Sequence, residues 1–204
     1  MVGKLIFLLP SRPELAFTVK ELSRSASKPT QKDEQRAKRC LRYLKGSRTL
    51  VLRLSLHQGD DEMQLIKTTV DASWVGAPDR KSTTGYLVSR YGFNLLFASK
   101  TQTSTTLSSA ESELLAISSA ATHAKLVMSI YHELGEDTKI KVFSDSTAAL
   151  QFMQRKGLGR IRHLDIRRMW LQEEVQKRSI KIEHLRGKDN PADVLTKTPP
   201  KQRF

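Results

Sequence analysis

Lys67-Thr68-Thr69-Val70-Asp71-Ala72 is the stretch on which the fold turns. Threonine and valine favour a pleated, half-buried strand, whereas aspartate is depleted there. An acid inside such a run is either a strand-end residue or one held in place for its charge. Both readings stand at this point, and the surrounding sequence has to decide between them.

Downstream, Thr83–Ser89 and Phe93–Ser99 read as a hairpin around Tyr91-Gly92. Upstream, Val51–Leu56 alternates weakly and reads as another strand, followed by the polar turn 58–62. Ser108–Leu134 is expected to be a long helix with Ala110, Leu114, Ile117, Ala121 and Ala124 on its apolar stripe. Lys139–Phe143 is a short strand, Ser146–Gln154 a helix, Leu164–Arg178 a basic helix and Ile180–Leu185 a strand, and Pro191–Thr196 opens a last helix. Strands and helices in this order predict an α/β chain with a mixed sheet and helices on both faces.

Three further acids stand out. Ser108 and Glu111 have capping-box spacing, which gives Glu111 a role at the helix start and leaves Glu113 without one. Glu113 is then either a solvated helix acid or one aimed along the sheet. Asp145 follows a strand end, where α/β sheets carry their sites, yet it also suits a helix cap. Asp193 sits in the first turn after Asn190-Pro191, where the helix dipole alone would favour it. Taken together in a basic chain, four acids at element ends suggest a hard-cation site, because magnesium selects oxygen ligands. Two such ions can drive phosphodiester cleavage.

The basic charge is pronounced. Lys and Arg number 35 against 21 acids, a net of +14, which favours a polyanionic partner through counterion release. Arg160, Arg162, Arg167 and Arg168 form either a phosphate-contacting ridge or a solvated helix face. Ser82, Thr83 and Thr84 are either backbone contacts or ordinary strand hydroxyls. Cys40 is the only cysteine, so no intrachain disulfide or cysteine zinc site can form. No apolar run approaches the roughly 20 residues of a membrane span. Leu5–Leu9 is too short for a secretion signal and is expected to be the buried end of a truncated element. Residues 1–48 read as basic and helical: Leu15, Val19 and Leu22 mark one stripe, Ala37, Cys40, Leu41 and Leu44 another, with Thr30 as the cap of the second helix.

Six ordered motifs carry a family resemblance. They are Val70-Asp71-Ala72-Ser73-Trp74, Lys81-Ser82-Thr83-Thr84-Gly85-Tyr86, Ser108-Ser109-Ala110-Glu111-Ser112-Glu113, Asp145-Ser146, Arg162-His163-Leu164-Asp165-Ile166-Arg167 and Ala192-Asp193-Val194-Leu195-Thr196-Lys197. In this order they resemble the ribonuclease H region of copia-type (LTR) retrotransposon Pol polyproteins. Arg12-Pro13-Glu14 through Arg42-Tyr43-Leu44-Lys45-Gly46 resembles the segment joining it to the reverse transcriptase.

The resemblance implies a ribonuclease H-like fold, a mixed five-stranded sheet with helices on both faces, over residues 49–198. Residues 1–48 would be a helical remnant of the reverse-transcriptase thumb or connection, and 199–204 a tail. It implies two Mg²⁺ ions, with Mn²⁺ as a substitute. Asp71 would bridge both, Glu113 and Asp145 would complete one site, and Asp193 the other. The implied activity is cleavage of the RNA strand of RNA–DNA hybrids, read through 2′-hydroxyl and phosphate contacts. Ser82, Thr83, Arg162, Arg167 and Lys188 are the expected nucleic-acid contacts. The implied partners are the hybrid and the reverse transcriptase of the same polyprotein, with no membrane. The implied location is the cytoplasm, in a virus-like particle, or the nucleus.

The chain departs from the pattern in one loop. Many ribonucleases H carry a histidine before the last aspartate, whereas Arg186-Gly187-Lys188-Asp189 stands here and His184 falls in the preceding strand. That departure implies slower turnover. The polymerase aspartates are also missing, so DNA synthesis is not expected. An inactive or host-captured relic that binds nucleic acid without cutting is the competing reading.

Overall fold

The computed structural model describes residues 1–52, 64–74, 81–155 and 166–197, with the backbone alone for 166–168. Five strands form one sheet: β1 (Leu65–Ser73), β2 (Thr83–Arg90), β3 (Phe93–Thr101), β4 (Lys139–Ser144) and β5 (Ile180–His184), in the order β3-β2-β1-β4-β5. β1, β2 and β3 are antiparallel neighbours, while β4 runs parallel to β1, and β5 runs parallel to β4. The expected Val51–Leu56 strand is corrected at its start. Val51 and Leu52 are exposed and outside any strand, and the rest of it lies outside the described residues.

Helix α4 (Ser109–Glu133) crosses from β3 to β4, and Ser108 caps it by accepting from the Glu111 backbone N–H. Ile66 and Val70 of β1, Tyr86 and Val88 of β2, and Ile140 and Val142 of β4 pack beneath Leu114, Ala116, Ile117, Ala120, Ala121 and Ala124. Small residues let the helix lie close to the pleat. Helices α5 (Thr147–Gln154) and α6 (Ile166–Gln176) join the same core through Ala149, Met153 and Leu171. By length and composition α4 could cross a membrane, contrary to the expectation that no run approaches that length. Its alanine-rich stripe is instead buried against the sheet.

The opposite face carries a 3-10 turn, Pro191–Leu195, in place of the α-helix expected there. Asn190 is its cap, as expected, accepting from the Ala192 backbone N–H. Helices α1 (Val2–Leu8), α2 (Ala16–Arg24) and α3 (Gln31–Gly46) build a second cluster from Leu5, Leu15, Val19, Leu22, Ala37 and Cys40. Thr30 and Asp33 form a reciprocal capping box at the start of α3. Leu41 is exposed rather than buried, and of Leu5–Leu9 only Leu5 is fully buried, with Phe7 84% exposed. Lys20 of α2 donates to Thr83 Oγ1 at 2.7 Å, tying this cluster to the sheet. Helices therefore cover parts of both faces of a mixed five-stranded sheet, which is the ribonuclease H-like arrangement.

Candidate metal centre

The parallel register decides where the acids meet. Thr69 of β1 is level with Phe143 of β4. Two residues further on are Asp71, still within β1 and on the same face as Thr69, and Asp145, one residue past the end of β4. Glu113 lies in the second turn of α4, and its Oε1 accepts from the Ala72 backbone N–H at 3.2 Å. One ligand atom each from Asp71, Glu113 and Asp145 lie within 4.8 Å of one another. Asp71 and Glu113 are buried and Asp145 is half-buried. Glu111 is occupied elsewhere, accepting from the Leu107 backbone N–H at 2.7 Å, one residue before the Ser108 N–H that a closed capping box would use, so it still serves the helix start and leaves Glu113 apart.

Asp193 is buried in the 3-10 turn but is not one of these three. Its Oδ1 meets Lys197 Nζ at 2.8 Å, an i,i+4 pair. The turn is fastened at several points. Asn190 Nδ2 donates to Val70 O at 2.8 Å, Ser99 Oγ donates to Leu195 O, and the Thr196 hydroxyl donates to Asp71 Oδ2. It also needs Gly85, because a Cβ there would stand 2.6 Å from Thr196 Cγ2 and 2.9 Å from Leu195 Cβ. A Cβ at Gly187 would likewise stand 2.8 Å from Asp145 Oδ2. Thr196, Lys197, Asn190 and the two glycines were not singled out as site residues from the sequence. Only the i,i+4 spacing of Asp193 and Lys197 offered a local signal.

The charges are crowded. Burial, then the charges of Asp71 and Asp145, push the Glu113 carboxyl up to about 8. Asp71 is also raised, by burial first; the Thr196 hydrogen bond opposes this while Asp193 and Asp145 reinforce it. Burial depresses the Lys197 ammonium, but its bond to Asp193 and the charges of Asp71 and Asp145 outweigh that and raise it. Glu113 Oε2 is buried with no hydrogen-bond partner among the described residues. An orphaned carboxylate oxygen beside two further carboxylates suits a hard divalent cation, which takes oxygen donors and cancels their repulsion.

The remaining expected contacts fare differently. Ser82 and Thr83 are both buried: Ser82 Oγ pairs with Thr106 Oγ1 at 3.0 Å, and Thr83 Oγ1 accepts from Lys20. Ser82 immediately precedes β2 and Thr83 opens it, and both hydroxyls are engaged inside the protein. Lys188 is exposed in the loop that brings Gly187 against Asp145. Arg162, Arg160 and His163 lie outside the described residues, as do the side chains of Arg167 and Arg168.

Fold and acids together define a ribonuclease H-like domain with a carboxylate cluster of the metal-binding kind. Comparison with known sequences narrows this to a family. Over 207 aligned residues the chain is 32% identical to the retrovirus-related Pol polyprotein from transposon TNT 1-94 of Nicotiana tabacum, covering all of this chain. It is 30% identical to that from transposon RE1 of Arabidopsis thaliana, covering 97% of this chain. The chain belongs to the retrovirus-related Pol polyproteins of copia-type transposons. It spans 15% and 13% of those two relatives' lengths. It is also 37% identical over 125 residues to secreted RxLR effector protein 161 of Plasmopara viticola, covering 60% of this chain and 85% of that one. No protein-family model matches. Among solved structures, LC11-RNase H1 isolated from compost is similar at 18% identity and a TM-score of 0.48, covering 66% of this chain and 94% of that one. The fold assignment stands on strand order and register.

Proposed function

We propose that this chain is the ribonuclease H segment of a retrotransposon polyprotein and cuts the RNA strand of RNA–DNA hybrids. The observation that carries the reading is the convergence of Asp71, Glu113 and Asp145 from a strand, a helix and a strand end in a chain of net charge +14. Asp71, Glu113 and Asp145 would hold one divalent ion, Mg²⁺ or Mn²⁺, and Asp71 with Asp193 a second. When bound, such ions activate water and stabilise the leaving oxygen of a phosphodiester. The chain's own contribution is positioning. Thr196 fixes the Asp71 carboxylate, the Ala72 N–H fixes Glu113, and Asn190 pins the 3-10 turn to β1. Selection of the hybrid would come from 2′-hydroxyl and phosphate contacts across a wide minor groove, the way A-form duplexes are recognised.

The same reading assigns a role to each part of the chain. Residues 49–198 act as the nuclease, 1–48 as its helical connection to the reverse transcriptase of the same polyprotein, and 199–204 as a tail. The proposed location is the cytoplasm, in a virus-like particle, or the nucleus. A second reading, a relic that binds nucleic acid without cutting, draws support from Lys197, whose ammonium sits on the acid proposed for the second ion.

The deciding experiment incubates the chain with labelled hybrid, duplex DNA and duplex RNA, with and without Mg²⁺. Metal-dependent loss of only the RNA strand of the hybrid is expected, and Asp71→Asn should abolish it while binding persists. Binding without cutting by the unaltered chain selects the relic. Undiminished cleavage by Asp71→Asn removes the site assignment.

A further inference from the structure

On the sheet face that carries Asp71, the register sets Lys67 of β1 beside Lys141 of β4, and Lys141 beside Lys181 of β5. Lys139 stands two residues before Lys141 on the same face. Lys67, Lys139 and Lys181 are exposed and Lys141 is half-buried. Like charges directly opposite in a sheet are destabilising. The row is only partly offset: Glu183 meets Lys141 at 3.1 Å and Lys181 at 2.8 Å, while the Lys67 and Lys141 ammoniums both lie over the Phe143 ring. Four cations against one acid leave this patch strongly positive, an arrangement that folding alone does not favour.

Position gives the row its partner. Lys67 precedes Asp71 by four residues on the same face, about 13 Å along the strand at 3.3 Å per residue. That is about four phosphates of one strand, at 3.4 Å per charge along a duplex axis. A groove of about 340 Å³ opens at the Lys67 end of the row, lined by Lys67, Thr69, Leu87, Tyr91, Asn94 and Pro191. Thr69 and Pro191 are each two residues from a proposed metal ligand, so the groove runs from Lys67 towards the acids, with the other three lysines flanking Lys67 across β4 and β5.

We infer that this lysine row binds the phosphate backbone of the same nucleic acid that is cut at the acid cluster, on the stretch flanking the cut. The inference rests on the hybrid-cutting reading and adds a second contact surface to it. An acidic peptide would also suit the charge, but it would not account for the lysines standing on the sheet face that carries Asp71.

The test measures binding of the full chain to labelled hybrid across a salt series, with chelator present so that nothing is cut. Removing one phosphate-binding cation lowers the slope of log K against log salt by about 0.9. Replacing Lys67, Lys141 and Lys181 together with Gln should therefore lower it by about 2 to 3, with the thermal midpoint unchanged or raised. Lys67→Gln alone, which removes no ion pair among the described residues, should lower it by about 1. An unchanged slope in both variants overturns the inference, as does loss of polyglutamate binding with hybrid binding intact. If the variants keep the slope while the parent still cuts hybrid with Mg²⁺, only the lysine row falls. If the parent neither binds nor cuts hybrid, the reading of the acids falls and takes the row with it.

Discussion

Glu113→Gln should stabilise the metal-free protein in alkaline solution while removing its response to divalent ions. The unfolded chain releases this proton near the ordinary 4.5, whereas burial and the charges of Asp71 and Asp145 hold it in the folded protein to about 8. Between those values the folded state carries the extra proton, so stability falls as pH rises and the whole contribution is lost above about 8. At about 1.4 kcal/mol per pH unit the gap amounts to at most about 5 kcal/mol. Even about 2 kcal/mol of it would move the melting temperature by about 4–8 °C in a chain of this size. Glutamine keeps an oxygen for the Ala72 N–H and carries no charge at any pH. Melting curves with chelator should therefore coincide near pH 5 and diverge towards pH 9, the variant melting higher. Added Mg²⁺ should raise the midpoint of the unaltered chain and release about one proton near pH 7, as ligands that must ionise do, with neither effect in the variant. A variant melting lower than the parent at pH 9, or one still stabilised by Mg²⁺, would refute the argument that these charges are strained together for a cation.

Gly187→Ala places a Cβ against Asp145 Oδ2, so the carboxylate should rotate away. Calorimetry should find Mg²⁺ affinity lowered by about tenfold or more, and unchanged affinity would show that Asp145 can serve from another rotamer. Thr196→Val keeps the packing against Gly85 but strips Asp71 of its hydroxyl donor. Urea unfolding at pH 8 should record a loss of about 1.5–3 kcal/mol, typical of a hydrogen bond to a charged group, and a loss near zero would demote the contact. Lys197→Met removes the ammonium from Asp193. Mn²⁺ titration followed by electron paramagnetic resonance should show tighter uptake of a second ion, and weaker uptake would mean that Lys197 assists the metals rather than excluding one.

The sheet was readable where side-chain chemistry conflicted with its position. An aspartate among threonines and valine marked β1, and the Tyr91-Gly92 turn marked the hairpin of β2 and β3. Separation of Glu111 from Glu113 followed from capping alone, because Ser108 leaves one glutamate satisfied and the other unexplained. Ser82 and Thr83 are ambiguous in the sequence, since a hydroxyl at the start of a strand looks the same whether it faces solvent or a buried Thr106. Leu5–Leu9 shows the same limit from the apolar side. A run of five hydrophobic residues does not reveal that the helix turns Phe7 outward once Leu5 has filled the cluster.

The contacts that lay beyond sequence reading join residues more than a hundred positions apart: Thr196 to Asp71 and Asn190 to Val70. Local pattern holds no record of such pairings, although they connect the end of the fold to its first strand. The same turn that covers Gly85 and closes that face of the sheet also delivers Asp193, Lys197 and the hydroxyl on Asp71. Assembling the acids costs repulsion and desolvation, visible in the raised Glu113 and Asp71 carboxyls. The hydrogen bonds and packing of the turn oppose that cost at the place where it arises. Stability and ion binding in this domain are therefore coupled through one short segment: loosening the turn should relax the acids and weaken their grip on a cation together.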